Sequence, residues 1–404
     1  MSDVFFTEEQ QALKRKYRAL VAEHVIPRAR EIDEKDRVPK DLLRKLTVEP
    51  FHLSALSVPK RLGGLGLSQV ETGIVAEEVG YGSPALIPLL EIAQLYSHVL
   101  LIGGTEDQQK RFLGQLVAGT IGCYALTDEG PGSDPAHMRS VARAEGDGFR
   151  LDGRKRLITF ADLGNLYAVF ANEAPEQGAK GVSAFIVEKG APGLTLERHV
   201  PYLGLLGHRA YDIALNGVYV PRNNRIGGQG EGLKLALSVL NRTRISLAWG
   251  YVGLARAALE AAVKFAQERV IDGQPLAQQQ AVRFALAEIA TQIDAARLLA
   301  YRAAVMADQN LSHRKATSMA KLAGGEALIK AVDLAFRIHA GYGGDKAYPV
   351  PVERYLRDAY SWISAQGTPE VQKLVIAREI LRLHPGSGDT QPVLSACGER
   401  TQDP

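Results

Sequence analysis

The sequence predicts an α+β protein in which an N-terminal helical domain, a central antiparallel β domain and a C-terminal helical bundle follow one another. Apolar residues recur at helical spacing before residue 120 and again after residue 230, and short β-favouring runs separated by Gly and Asp turns lie between. The predicted domains are residues 1–120, 121–228 and 229–384. Residues 385–404, rich in Gly, Ser and Pro, are predicted to form a flexible tail.

Several helices are predicted in the first domain. Thr7 and Gln10 form a capping-box pattern in front of the first helix. Pro27 is expected to end or bend that helix, because a proline ring cannot continue the hydrogen-bond ladder. Further segments with helical periodicity are residues 70–79, 87–101 and 107–117.

The middle of the chain changes to β-favouring runs, at residues 122–127, 149–151, 166–170, 183–187 and 214–220. From Gly230 onward the helices return. Apolar residues between Leu233 and Ala258 recur on one helical stripe, and two more helices are predicted at residues 278–308 and 315–339. Long helices joined by short breaks favour a bundle.

Composition narrows the possible classes of function. Hydrophobic residues make up 46% and charged residues 23%, and the net charge of +3 is not concentrated in a basic run, so no nucleic-acid partner is expected. Cys123 and Cys397 are too few for a disulfide framework or a zinc site. The N-terminus lacks a secretory pattern, and no uninterrupted apolar run approaches membrane-spanning length. We therefore expect a cytoplasmic protein with no metal and no membrane partner.

A loop rich in glycine and hydroxyl groups follows the first predicted strand. It reads Tyr124-Ala-Leu-Thr-Asp-Glu-Gly-Pro-Gly-Ser-Asp134. Glycines let the backbone approach a ligand closely, and the hydroxyls of Thr127 and Ser133 are available to hydrogen-bond it. Taken alone, this composition is more often that of a plain surface turn.

Two charged residues fall within apolar helical patterns. Arg244 lies on the long stripe between Leu240 and Leu247, where an unpaired charge costs several kcal/mol. It therefore needs either a bound anion or a salt bridge with a nearby acid. Glu91 lies among apolar residues in the helix at residues 87–101, where burial would raise its pKa. The commoner alternative for Glu91 is a partly exposed acid on a helix.

These segments, together with the C-terminal Gln366-Gly-Thr368, resemble the acyl-CoA dehydrogenase family in order from Thr7 to His384. The loop after Tyr124 is similar to the family's flavin-binding Thr-Glu-Pro-Gly-Ala-Gly-Ser-Asp. The stretch from Gly153 to Phe160 is similar to its Gly-x-Lys-x-Trp-Ile-Thr-Asn strand. The resemblance implies that the C-terminal bundle has four helices, that FAD lies between the β domain and this four-helix bundle, and that the protein is a homotetramer or homodimer.

The resemblance also implies cofactor contacts at Tyr124, Leu126, Thr127, Gly132, Ser133, Leu157, Thr159, Arg269, Gln280, Arg337, Gly341 and Thr368. Several positions depart from the family pattern: Leu157 replaces a tryptophan, Asp272 a phenylalanine and Arg337 a glutamine. Arg269 suits a diphosphate because a guanidinium pairs bidentately with such oxygens, although a cation favoured by a helix C-terminus is the alternative.

Substrate contacts are implied at Ser133, Arg244 and Gly367. The family's base is a glutamate in a Glu-Gly-Thr turn, and here Gln366 occupies its position. A minority of relatives carry the base one residue before the arginine, at the position of Thr243. Neither glutamine nor threonine accepts a proton at useful pH. Glu91, where relatives place an acid at the base of the acyl pocket, remains as a candidate.

The first hypothesis is therefore FAD-dependent α,β-oxidation of an acyl thioester of coenzyme A or an acyl carrier protein, with an electron-transfer flavoprotein as partner. Loss of a general base typically costs about 10²–10⁴-fold in rate, which leaves two alternatives. One is a flavin-dependent monooxygenase or reductase on the same fold. The other is a non-catalytic subunit of a mixed tetramer.

Overall fold

The computed structural model describes residues 4–130 and 132–382, and it confirms the predicted order of helices, strands and helices. The predicted tail at residues 385–404 lies outside the described residues. The first part comprises α1 (Glu8–Leu20), α2 (Ala29–Lys35), α3 (Lys40–Thr47), α4 (Gln69–Gly82), α5 (Ile87–Gly103) and α6 (Glu106–Val117).

The predicted start and bend of the first helix are both found. Thr7 caps α1, with its side chain accepting from the backbone of Gln10 and the Gln10 side chain bonding back, as a capping box requires. Regular α-helix ends at Leu20, and a π-helical turn at Val21–Val25 leads into the bend around Pro27.

Helix α5 is buried on nearly every side. The segment Pro84–Gly103 is long and apolar enough to cross a membrane by length and composition, but 89% of its most apolar window is buried inside the protein, as in a core helix. It packs against α7 (Gly232–Glu268) and against β1 (Gly122–Ala125). Polar residues on α5 therefore face the interior of the molecule.

The central domain is one eight-stranded sheet in the order β6-β7-β3-β2-β4-β5-β8, with β1 beside β4. The other strands are β2 (Val141–Glu145), β3 (Gly148–Thr159), β4 (Leu166–Asn172), β5 (Val182–Glu188), β6 (Leu194–Val200), β7 (Ala210–Pro221) and β8 (Arg225–Ile226). Most pairs are antiparallel, but β1 and β2 both run parallel to β4. The prediction of a wholly antiparallel domain is wrong at these two pairings, and the sheet is mixed.

The C-terminal helices complete the fold. After α7 come the short pair β9 (Val270–Ile271) and β10 (Gln274–Pro275), then α8 (Gln280–Asp308), α9 (Arg314–Ile338), α10 (Val352–Trp362) and α11 (Pro369–Leu381). Helix α9 packs against α7, α8, α10 and α11, and α7 also packs against α4 and α5. The N-terminal helices and the bundle thus share one core, and the turn between α10 and α11 lies at its edge.

Candidate active site

The turn between α10 and α11 has an unusual backbone. Gln366 and Gly367 both have positive φ, at 54° and 100°. A Cβ at residue 367 would lie 3.0 Å from Gln372 Nε2 and 3.3 Å from a methyl carbon of Val371, so glycine is required there. Thr368 then caps α11, because its hydroxyl accepts from the backbone N–H of Val371 at 3.4 Å.

Two buried cations hold this turn by its carbonyl groups. Arg244 Nε donates to the carbonyl of Gln366 at 2.7 Å. Lys321 Nζ donates to the carbonyl of Gly367 at 2.7 Å and to that of Ile363 at 3.1 Å. Our sequence reasoning missed Lys321, although it lies on the buried stripe of α9 just as Arg244 lies on that of α7.

Arg244 is 8% exposed and has no carboxylate within ion-pair distance among residues 4–130 and 132–382. The salt-bridge alternative for this residue is therefore not found. Burial lowers the pKa of Arg244 to about 10. Within the described residues only its Nε–H is hydrogen-bonded to a protein group, so the guanidinium has donors left for an oxygen-bearing ligand.

The two positions at which the resemblance implies a base, Thr243 and Gln366, lie against each other. The hydroxyl of Thr243 donates to Gln366 Oε1 at 2.9 Å. Thr243 is fully buried and Gln366 is half-buried. An amide and a hydroxyl in this arrangement fix the side-chain geometry but offer no group that takes a proton near neutral pH.

Glu91 reaches the same place from α5. It is 5% exposed, so the expectation that it is a partly exposed surface acid is wrong. The reason is that α5 is enclosed by the sheet and by α7. Burial raises the pKa of Glu91 to about 7, and the nearby polar side chains of Gln366 and Trp362 and the charge of Lys321 oppose this shift.

Several polar atoms in this pocket lack a well-aligned partner. Gln94, one turn along α5 from Glu91, accepts from the hydroxyl of Ser246 at 2.9 Å. In the described part of the chain, the buried atoms without a hydrogen bond of good geometry include Glu91 Oε1, Gln94 Nε2, Trp362 Nε1 and Gln366 Nε2. Buried polar atoms left in this state are costly, so these four are candidates to contact a ligand.

The glycine-rich loop is fastened to β3 by a buried ion pair. Lys155 Nζ contacts Asp128 Oδ1, and neither side chain is more than 2% exposed. Asp128 also accepts from the backbone N–H groups of Arg139 at 2.6 Å and Ser140 at 2.7 Å. Burial lowers the pKa of Lys155 to about 8, and the nearby Asp128 carboxylate opposes this shift. These contacts fix the first turn of the predicted ligand-binding loop against β3.

Residues of β3 that lie beside the glycine-rich loop fit a flat aromatic cofactor. The carbonyl of Thr127 accepts from the backbone N–H of Arg156 at 2.9 Å, which lays the loop beside β3. Leu157 is 45% exposed with a φ of 60°, and Thr127 and Thr159 are half-buried. One apolar side chain and two hydroxyls suit the face and edge of a flavin ring. Phe160, by contrast, is fully buried in the core.

The other predicted cofactor residues fall into two groups. Gly132 and Ser133 are exposed, Leu126 is buried, and the Tyr124 hydroxyl donates to the carbonyl of Ala236 on α7 at 3.3 Å. The second group is exposed on the C-terminal helices and comprises Arg269, Gln280, Arg337 and Gly341. In the chain as described, these four share no hydrogen bond or ion pair with the turn at Gln366, and Arg337 pairs instead with Asp333 at 2.8 Å.

The Lys155–Asp128 pair gives a direct prediction. We expect Lys155→Met to lower the free energy of unfolding by about 3–5 kcal/mol, because it leaves a buried carboxylate uncompensated, and to reduce the FAD content of the purified protein. Thermal unfolding and the flavin-to-protein absorbance ratio measure the two effects. Arg154→Met, on the same strand but with its side chain 57% exposed, is the control and should change neither. Full FAD content in Lys155→Met would contradict this role.

Comparison with known proteins identifies the class to which this fold and site belong. Three family models match: the acyl-CoA dehydrogenase N-terminal domain over residues 7–120, the middle domain over residues 123–218 and the C-terminal domain over residues 230–381. The chain belongs to the acyl-CoA dehydrogenase family. Members of this family are FAD flavoproteins, so FAD is the cofactor, as predicted.

Individual relatives agree with this assignment. The chain is 35% identical over 377 residues to an acyl-CoA dehydrogenase of Bacillus subtilis, covering 93% of this chain and 98% of the relative. It is 34% identical over 382 residues to a 3-(aryl)acrylate reductase of Clostridium sporogenes, covering 94% and 100%. The solved structure of butyryl-CoA dehydrogenase from Megasphaera elsdenii superposes with a TM-score of 0.90 at 30% identity, covering 93% and 99%. The chain is thus an oxidoreductase of this family.

Proposed function

We propose that this protein is an FAD-dependent oxidoreductase that oxidises the α,β-bond of an acyl thioester without the family's usual glutamate. FAD, which accepts two electrons, supplies the redox chemistry when bound. The loop at Thr127 and the edge of β3 at Leu157 and Thr159 would hold its ring. Arg269, Gln280, Arg337 and Gly341 would contact its distal half from a second subunit, in a homodimer or homotetramer.

The observation that carries this proposal is the buried Arg244 beside the turn at Gln366. Its guanidinium has no acidic partner in the described chain, and the carbonyl that it holds belongs to the family's base position. A thioester offers carbonyl oxygens to such donors, and the polar atoms of Gln94, Trp362 and Gln366 add further contacts in the pocket. Ser133 and Gly367 would complete the substrate contacts.

Reduction of an enoyl thioester is the second candidate. It is favoured by Glu91, whose near-neutral pKa leaves a fraction of the carboxyl protonated and able to donate to an α-carbon. A relative named as a 3-(aryl)acrylate reductase agrees with this direction. For the oxidative direction we propose an electron-transfer flavoprotein as the acceptor. The substrate would be carried by coenzyme A or an acyl carrier protein, and the setting would be the cytoplasm.

The test is an anaerobic titration of the purified flavoprotein with a panel of acyl-CoAs, followed by its visible spectrum. Bleaching of the flavin band by one acyl-CoA supports oxidation. Reoxidation of dithionite-reduced flavin by an enoyl-CoA supports reduction. Flavin that reacts only with oxygen would favour a monooxygenase. Purified protein that binds neither FAD nor acyl-CoA would overturn the proposal in favour of a non-catalytic subunit.

A further inference from the structure

Resting on the proposed function, we propose that Glu91 is the acid–base group of this site, and that its carboxylate takes the α-proton of the acyl thioester in place of the side chain at position 366. Glu91 lies on α5, whereas the family's base lies on the turn after α10 and its known alternative lies on α7. The acid–base group of this site would thus come from α5, a third element of the fold.

The first argument is position. Gln94, one turn along α5 from Glu91, accepts from Ser246, whose hydroxyl also donates to the carbonyl of Thr243 at 2.8 Å, and Thr243 in turn contacts Gln366. Glu91 therefore lies on the face of α5 that meets the base position. Both its Oε1 and the Nε2 of Gln366 are buried without a well-aligned partner in the described chain. The carboxyl is therefore free to hydrogen-bond a ligand that enters between them.

The second argument is the set of groups around the carboxyl. Lys321 of α9 lies 5.9 Å from the ring of Tyr251 on α7, and that ring packs edge-on against Trp362 of α10 at 4.7 Å. The charges of Arg244 and Glu370 also act on Lys321. Burial lowers the pKa of Lys321 to about 7, so the acid and the amine both change protonation state near neutral pH. A base that titrates near the working pH is best suited to proton transfer.

The step balances without a further reactant. The α-proton moves to a carboxylate oxygen of Glu91, and the electron pair of the broken Cα–H bond forms the new Cα=Cβ bond. FAD, when bound beside Thr127, Leu157 and Thr159, would supply the two-electron acceptor for the β-hydrogen and its electron pair. In the reverse direction, protonated Glu91 returns its proton to the α-carbon.

Proton transfer can be measured apart from the redox reaction. A 3-thia-acyl-CoA has sulfur in place of the β-methylene, so its α-protons can exchange while no hydride can leave. We expect the holoprotein to incorporate deuterium at the α-carbon of this probe in D₂O, as measured by mass spectrometry. Glu91→Gln should slow the exchange by about 10²-fold or more, with the affinity for the probe changed much less.

Further variants sharpen the test. Glu91→Asp keeps a carboxyl and should retain part of the exchange with a shifted pH profile. Glu106→Gln, at an exposed acid paired with Lys110, is the control and should exchange at the parent rate. Equal exchange in Glu91→Gln and the parent would overturn this inference and leave the proposed function standing. A parent protein that binds no acyl-CoA would instead overturn the proposed function, and this inference with it.

Discussion

We expect the swapped double variant, which carries Glu91→Gln together with Gln366→Glu, to reduce its flavin about 10²–10⁴ times faster than Glu91→Gln alone. Glutamine and glutamate have nearly the same shape, and the Oε1 of Gln366 already accepts from Thr243 at 2.9 Å. Arg244 and Lys321 would still hold the turn, and their charges would favour an ionised carboxylate at position 366. The two substitutions together thus move the base back to the family's position.

Exchanging the two residues is preferable to adding a second acid. With Glu91 still present, Gln366→Glu would place two carboxyls side by side, and one of them would hold a proton because neighbouring like charges resist joint ionisation. Anaerobic stopped-flow mixing with the best acyl-CoA gives the rate. Glu91→Gln with Gln366→Asn is the matched control, and it should stay slow because asparagine accepts no proton. A swapped double variant that is as slow as this control, although it binds FAD and acyl-CoA normally, would contradict the assignment.

Arg244→Met should weaken acyl-CoA binding by about 10–150-fold, which corresponds to the loss of a hydrogen bond to a charged group. At the same time we expect the melting temperature to stay the same or rise. Methionine loses the hydrogen bond from Arg244 Nε to the carbonyl of Gln366, but it also removes the cost of burying a charge that has no carboxylate partner in the described chain, and we expect the second effect to equal or exceed the first. Weaker binding without lower stability is therefore the result expected if this arginine is kept for a ligand.

Isothermal titration calorimetry and differential scanning calorimetry measure these two effects. Arg143→Met is the matched control, because Arg143 is 67% exposed and pairs with Asp152 at 2.9 Å on the protein surface. It should leave both quantities nearly unchanged. A fall of several degrees in the melting temperature of Arg244→Met with unchanged affinity would show instead that this arginine only fastens the carbonyl of Gln366.

The fold was largely predictable because its long helices are strongly periodic. The prediction of residues 278–308 is close to α8 at Gln280–Asp308, and that of residues 315–339 is close to α9 at Arg314–Ile338. Strand β6 (Leu194–Val200) was missed although Leu194 and Leu196 alternate with polar residues, and the structure shows it as an edge strand whose side chains are mostly exposed. The parallel pairing of β1 with β4 depends on how the sheet assembles, and no local pattern indicates it.

The site was predictable in its parts but not in its arrangement. Burial of Arg244 followed from its place on an apolar stripe, which is a local property. Burial of Glu91 depends on what surrounds α5, because an apolar helix with one acid is compatible with a surface position as well. The contacts of Gln366 with Thr243 and of Lys321 with Gly367 join residues far apart in the sequence. Such pairs are visible only in the folded chain.

The most direct test of Glu91 as the acid–base group is the pH dependence of flavin reduction under anaerobic single-turnover conditions. In the parent protein we predict that the rate of oxidation of an acyl-CoA rises with pH through a value near 7, because the ionised form of Glu91 is the base and burial raises its pKa to about 7. Glu91→Gln should be slow at every pH and should lose this rise. A parent rate that is independent of pH, or a Glu91→Gln variant with the same rate and the same profile, would contradict the assignment.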